Sequence, residues 1–196
     1  MPTLGRPKAS LKKFKLITGH FFISFLISSS YRDDPKINRT VVIQLIVYDF
    51  DGVMTDNRVI LREDGLESVV VNRSDGLAVG IIKSMGIPQL ILSKEKNPVA
   101  IKRAEKLGIP IQNGIDDKKE ILMLHCKNNG IDLKKVVYLG NDLNDVDVAN
   151  IVGYPMCPED AYPEFKAVSR FVIPVKGGCG VIRYFLNWLL KKESDE

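Results

Sequence analysis

In the stretch "QLIVYDFDGVMTDNRVI" an apolar run gives way at once to three aspartates, Asp49, Asp51 and Asp56. Carboxylates two apart on an extended segment point to opposite faces, so Asp49 and Asp51 converge only where the strand ends and the chain turns. Gly52 supplies that turn. Crowded carboxylates raise one another's pKa unless a cation or hydrogen-bond donors offset them, so the stretch calls for a metal ion, a phosphate-handling site, or both. A solvated Asp-rich loop is the competing reading of D-x-D taken alone.

The elements around these residues reduce that ambiguity. From Gln44 onward apolar runs alternate with helical patterns, the signature of a parallel sheet covered by helices. "LIVYDF" reads as a buried strand, and "NRVILREDGLESVVVN" as a hairpin around Asp64-Gly65. "DGLAVGIIKSMG" reads as a helix stopped by Gly86, and "IPQLILS" as a strand. "NPVAIKRAEKLG" and "DDKKEILMLHCKNNG" read as helices, the first with Pro98 in its opening turn and Gly108 at its stop. "KKVVYLG" is a further buried strand, "DVDVANIVG" a short helix, "RFVIPV" a last strand, and "GGCGVIRYFLNWLLKK" an amphipathic closing helix. The expected fold is α/β, a doubly wound, Rossmann-like parallel sheet with ligands at the carboxyl ends of its strands. At that edge fall Asp49 and Asp51, then Ser93, then "DDKKE" with Lys118 and Lys119, then "GNDLND". Their coincidence at one edge weighs against the solvated-loop reading.

These motifs in this order ("DFDGVMTD", a hairpin, "SDG", "LS" at a strand end, "DKKE", "GNDLND", "GGCGVIR") resemble the haloacid dehalogenase superfamily. Within it they resemble the small phosphatases without a mobile cap that act on 3-deoxy-octulosonate 8-phosphate and on sialic-acid-like nonulosonate 9-phosphates. The same unit forms the C-terminal part of some bacterial acylneuraminate cytidylyltransferases. The resemblance covers about residues 44–190 and implies a HAD-like fold with a β-hairpin flap and no cap domain. It implies Asp49 as nucleophile, Asp51 as general acid and base, Ser93 and Lys118 on the phosphoryl oxygens, and substrate contacts from Gly52, Arg73, Ser74, Asp75 and Gly76. It implies Mg2+ held by Asp49, the Asp51 carbonyl and a carboxylate of "GNDLND". Amide oxygen is the weaker ligand, so Asp142 is expected there rather than Asn141, with Asp145 behind it. The "GND" form and "NRSDG" look nearer the nine-carbon branch than the eight-carbon one. A homotetramer whose hairpins close neighbouring sites is implied as well.

Plainer roles are weighed against these. Ser93 could cap a turn, Lys119 reads as solvated, His125 as a packed helix residue, and Cys179 as a small residue in a tight turn. The family's terminal "RE" is Arg183-Tyr184 here. Two other functions stay in view: a non-catalytic oligomerisation module, and a phosphoacceptor signalling domain, which gives no reason for Asp51. The 196 residues carry a net charge of +4, but residues 1–44 hold +6 of it, leaving the body at −2. No basic and aromatic interleaving marks a nucleic-acid partner. Cys126, Cys157 and Cys179 lack metal or disulfide spacing and read as free thiols of a reducing, cytoplasmic compartment. Residues 1–43 have the order of a weak secretory signal, but Gly19 and His20 interrupt an apolar run too short to span a bilayer. They are read as a poorly ordered extension of a domain at 44–192, with 193–196 as a tail and no membrane partner.

Overall fold

The computed structural model describes residues 43–190, together with the backbone of residues 25–26 and 40–41. The expectations for the extension at 1–43 and the tail at 193–196 therefore fall almost wholly outside the described residues. Two short strands, β1 (Phe25–Leu26) and β2 (Thr40–Val41), pair antiparallel. The main sheet begins at β3 (Leu45–Tyr48), whose four residues are all buried. A strand buried on both faces reads as a continuous apolar run, and this one does. After it come β4 (Ile60–Leu61) and β5 (Glu67–Ser68), which form the hairpin ribbon, then α1 (Arg73–Ser84), β6 (Gln89–Ser93), α2 (Pro98–Leu107) and β7 (Ile111–Asn113). The chain continues through α3 (Lys118–Asn129), β8 (Val136–Leu139), α4 (Leu143–Ala149), β9 (Tyr154–Pro158), α5 (Pro163–Val168), β10 (Phe171–Ile173) and α6 (Val181–Leu190).

Six strands pair in parallel in the order β10-β9-β8-β3-β6-β7. The path runs outward from β3 through β6 and β7, then returns to β8 on the other side. The β3/β8 boundary is thus the topological switch point, where ligands of such sheets bind. Alternation along the strands divides the core. Ile46, Tyr48, Val137 and Leu139 face α1, α2 and α6, whereas Leu45, Val47, Val136 and Tyr138 face α3, α4 and α5. This is the doubly wound arrangement expected.

Helix ends follow local chemistry. Asn72, Asn97 and Asp117 accept from backbone N–H groups of the first turns of α1, α2 and α3. Gly108 and Gly130 end α2 and α3 at φ 64° and 65°, in the left-handed region where glycine costs least. Four elements differ from expectation. The hairpin has only two residues in each paired strand, plus a bridge between Thr55 and Val71. Strand β7, in "IQN", strand β9, in "YPMCP", and α5 have no counterpart in the sequence reading. Strand β9 tolerates Pro155: its carbonyl accepts from Arg170 N–H at 2.8 Å before β10 begins, so no ladder donor is lost. Pro163 opens α5 at the first turn, where a missing N–H is harmless.

Candidate active site

Asp49 follows the last residue of β3, and its N–H donates to Leu139 O of β8 at 2.8 Å, which fixes it at the switch point. Its carboxylate is buried, and Oδ1 accepts from Phe50 N–H at 2.8 Å and Lys118 Nζ at 2.6 Å. Lys118 is the first residue of α3, with a side chain only 1% exposed, and it also donates to Asp145 Oδ1 at 2.7 Å. Asp145 is fully buried in the first turn of α4. Its Oδ1 also accepts from Tyr138 OH at 2.5 Å, and its Oδ2 from Asn141 N–H at 2.9 Å. The result is a continuous chain of charge-assisted hydrogen bonds, Tyr138–Asp145–Lys118–Asp49, across the carboxyl ends of β3 and β8.

The electrostatics follow from burial. Desolvation, and then the charge of Asp145, push the Asp49 carboxyl up to about 8, against the pull of Lys118 and the Phe50 N–H. Burial alone would lower Lys118, but Asp49 and Asp145 outweigh it and hold the ammonium charged. Asp51 is half-buried. Desolvation raises its pKa, Glu95 and Glu67 add to the rise, and a 3.4 Å hydrogen bond from Thr55 Oγ1 and the charge of Lys118 oppose it. Asp49 is thus packed against an ammonium, and the pKa of Asp51, next along the chain, is raised chiefly by its burial.

Asn141 completes this arrangement. It follows Gly140 at the end of β8, is buried, and lays its amide against Gly52, the Asp51 carbonyl and Asp49 Oδ2. With its NH2 turned inward it donates to Asp51 O at 2.9 Å and Asp49 Oδ2 at 3.1 Å. With its oxygen inward, three oxygens meet, an arrangement that a cation stabilises. Among the described residues no group of three or more His, Cys, Asp or Glu is placed to hold a metal. The donors here are one carboxylate, one backbone carbonyl and one amide, all hard oxygen, and they fit Mg2+.

The structure places the remaining expected residues as follows. Asp142 does not turn to the Asp49–Asp51 pair: it caps α4, with Oδ1 2.6 Å from Leu143 N, and Asn141 holds the place expected of it. Gly52 shapes the turn after Asp51. Its N–H donates to Thr55 Oγ1, its φ is +82°, and a Cβ there would lie 2.7 Å from Asn141 Cγ. Ser74 donates to its own cap residue Asn72 at 2.7 Å. Asp75 is buried between helices, accepting from Arg183 N–H of α6 at 2.8 Å. Gly76 makes room for Arg103, whose Nη2 would lie 3.2 Å from a Cβ there. Arg73 is exposed at the start of α1. The "RSDG" run therefore packs α1 onto its neighbours.

Ser93 stands where expected. It ends β6, two residues past the Tyr48–Ile91 pair, and its Oγ is buried with no hydrogen-bond partner. Beside Asp51 opens a cavity of about 240 Å3, lined among others by Asn57, Val59, Glu67, Glu95 and Asn97. Glu67 of the hairpin and Asn97 at the start of α2 are hydrogen-bonded across it. Sequence reasoning missed Glu95, Asn97 and Tyr138. Glu95 and Asn97 follow Ser93 closely enough to have been found, whereas Tyr138 reads only as strand core. No helix among the described residues is long and apolar enough to cross a membrane.

Comparison with known proteins agrees with this geometry. Residues 86–185 match the model of the haloacid dehalogenase-like hydrolases. The chain is 30% identical over 163 residues to a 3-deoxy-D-manno-octulosonate 8-phosphate phosphatase of Yersinia pestis, covering 80% of this chain and 84% of that protein. It superposes with a TM-score of 0.74 on the phosphatase of the same specificity from Moraxella catarrhalis, solved with magnesium, phosphate and KDO. That match has 30% identity and covers 78% of this chain and 88% of the other. It is also 27% identical to an N-acylneuraminate cytidylyltransferase of Oncorhynchus mykiss over 81% of this chain, but spans only 38% of that longer protein. With the family model over half its length and a 30% identical relative along four fifths of it, the chain belongs to the haloacid dehalogenase-like hydrolases.

Proposed function

We propose that the chain is a magnesium-dependent phosphatase of 2-keto-3-deoxy sugar acid phosphates, acting on nine-carbon, sialic-acid-like 9-phosphates. The observation that carries the phosphoryl chemistry is the buried, unpartnered Ser93 hydroxyl at the sheet edge that holds Lys118 and Asp49. A buried hydroxyl left without a partner costs about 1–3 kcal/mol, which a bound phosphoryl oxygen recovers. Lys118 uses two of its three N–H donors on carboxylates and keeps one for the same group.

In this reading Asp49 attacks phosphorus, the bond from phosphorus to the sugar oxygen breaks, and Asp51 gives its proton to that leaving oxygen. Asp51 then takes a proton from water, which attacks the aspartyl-phosphate, releases inorganic phosphate and returns Asp49 as carboxylate. The raised pKa of Asp51 suits the first role, and Lys118 and Ser93 hold the developing charge. Asp49 Oδ2, the Asp51 carbonyl and Asn141 would hold Mg2+, which when bound offsets the charge of Asp49 and of the phosphoryl oxygens. A homotetramer, with hairpins closing neighbouring sites, belongs to the same proposal.

The nine-carbon assignment is supported by the likeness to N-acylneuraminate cytidylyltransferase and by the "GND" form of residues 140–142. The eight-carbon 8-phosphate is the second reading, favoured by the Yersinia and Moraxella phosphatases. Phosphate release from both esters, with Mg2+ and after chelation, separates them: the nine-carbon ester is expected to give the higher kcat/KM and chelation to stop both. Asp49→Asn should abolish steady-state release in a folded protein. Retained release by that variant would sink the covalent route.

A further inference from the structure

We propose that Tyr138 is a positioning residue of this site: its hydroxyl saturates Asp145 Oδ1 and thereby sets how closely Lys118 is held to Asp49. The inference rests on the phosphatase reading above. Tyr138 lies in β8 with no exposed surface, its ring packed near Phe165 at 6.4 Å between centroids and 54° between planes. Its plain role would be core, with the hydroxyl merely satisfied.

The partners argue for more. Asp145 Oδ1 accepts both Tyr138 OH, at 2.5 Å, and Lys118 Nζ, at 2.7 Å. Lys118 Nζ is also 2.6 Å from Asp49 Oδ1, so one ammonium is shared between two buried carboxylates. Where it settles depends on the electron density each offers. A hydroxyl donating to Asp145 Oδ1 weakens that oxygen's hold, leaving Lys118 leaning to Asp49 and the phosphoryl position. Without it, Asp145 draws the ammonium back. In a buried site such charged hydrogen bonds are at their strongest. The backbone is built for the contact as well: a Cβ on Gly140 would lie 2.7 Å from both Tyr138 Cε1 and Asp145 Oδ2. Phenylalanine would fill the same core volume without burying a polar atom, so packing alone does not account for a hydroxyl here.

The test is Tyr138→Phe in the full chain, with an aryl phosphate as minimal substrate and Mg2+ present. kcat is expected to fall about tenfold, roughly 1.4 kcal/mol of transition-state stabilisation, with KM within twofold of wild type. Inhibition by vanadate should weaken in parallel with kcat. In an Asp145→Asn background the same change should add no further loss, since no carboxylate then competes for Lys118. Phe165→Leu, which loosens the ring packing but keeps the hydroxyl, should lower the melting temperature without this loss of kcat. A folded Tyr138→Phe protein with wild-type kcat and vanadate affinity overturns the proposal. Should that variant fail to fold, 3-fluorotyrosine at position 138 keeps the ring and alters only the strength of the hydroxyl's bond. A changed kcat at unchanged melting temperature then supports the role, and an unchanged kcat overturns it. Wild-type protein with no turnover of any ester overturns the phosphatase reading along with it.

Discussion

Two buried aspartates in this protein are treated in opposite ways, and the difference predicts behaviour. Asp49 is surrounded by donors, whereas Asp75 has Oδ1 bonded to the α6 backbone and Oδ2 buried without a partner. Burial raises Asp75 from 3.8 to about 6, only partly opposed by the Arg183 and Ile182 N–H groups and the charge of Arg103. Its folded pKa lies above its unfolded one, so between pH 3.8 and about 6 the folded chain holds a proton that the unfolded chain releases. Stability from this group is full below pH 3.8, falls as pH rises towards 6, and stays reduced at neutrality. Asp75→Asn keeps the acceptor and removes the buried charge. It should stabilise the fold by roughly 1–3 kcal/mol at pH 7.5 and by almost nothing near pH 4. Urea melts at the two pH values decide this, and an equal effect at both would mean that the carboxylate is not penalised. The "SDG" signal is thus a device for seating α6 on α1, and its carboxylate is a cost of that joint.

At the scale of elements, the glycine turn before α6 shapes the catalytic loop. Gly178 N–H donates to Val53 O at 3.1 Å, Asn72 Nδ2 donates to Gly178 O, and a Cβ on Gly177 would overlap the Gly52 carbonyl, 2.9 Å from its carbon. Because the obstacle is backbone, Gly177→Ala must displace the loop from Asp51 to Asp56. It should cost about 1–3 kcal/mol and lower turnover at least tenfold. Gly80→Ala, in the interior of α1 with nothing near its Cβ, should instead stabilise by about 0.5–1 kcal/mol and leave turnover alone. Melting and phosphate release on both variants check the pair. The sequence does not show which of these two glycines meets another backbone segment, which marks the limit of what it conveys. Stops such as Gly108 and Gly130, and starts such as Asn97-Pro98, are local chemistry and are legible. So are the strand-end positions of Asp49, Asp51, Ser93 and Lys118, since a parallel sheet brings strand ends together. The facing residue of "GND" is not. Charge favours Asp142, but the turn after Gly140 sends Asn141 back onto Gly52 and leaves Asp142 to cap α4. Nor is a strand through "YPMCP", where Pro155 is harmless because the neighbouring β10 starts late.

At the scale of the whole molecule, the site lies where the strand order of the sheet reverses, with the hairpin beside it. The hairpin is poorly supported by its own chain: Val59, Ile60, Leu61, Leu66 and Val70 are all exposed, Leu61 at 69% and Ile60 at 61%. Two-residue strands in a hairpin with five exposed apolar side chains do not form a stable ribbon alone in water. In the proposed homotetramer this cluster is what a neighbouring copy would cover. The same ribbon supplies Val59 and Glu67 to the wall of the cavity beside Asp51, so the proposed assembly and the proposed site would share one element. Replacing Ile60 and Leu61 together with glutamate leaves the six-stranded sheet and both halves of its core untouched. The variant should remain folded, sediment as a smaller species than wild type at equal concentration, and turn over substrate at least several-fold more slowly, because the cavity wall is no longer held. Sedimentation and specific activity measured across one dilution series give the answer. A wild-type protein that is monomeric at all concentrations removes the assembly, and a dissociated variant with full activity removes its part in catalysis.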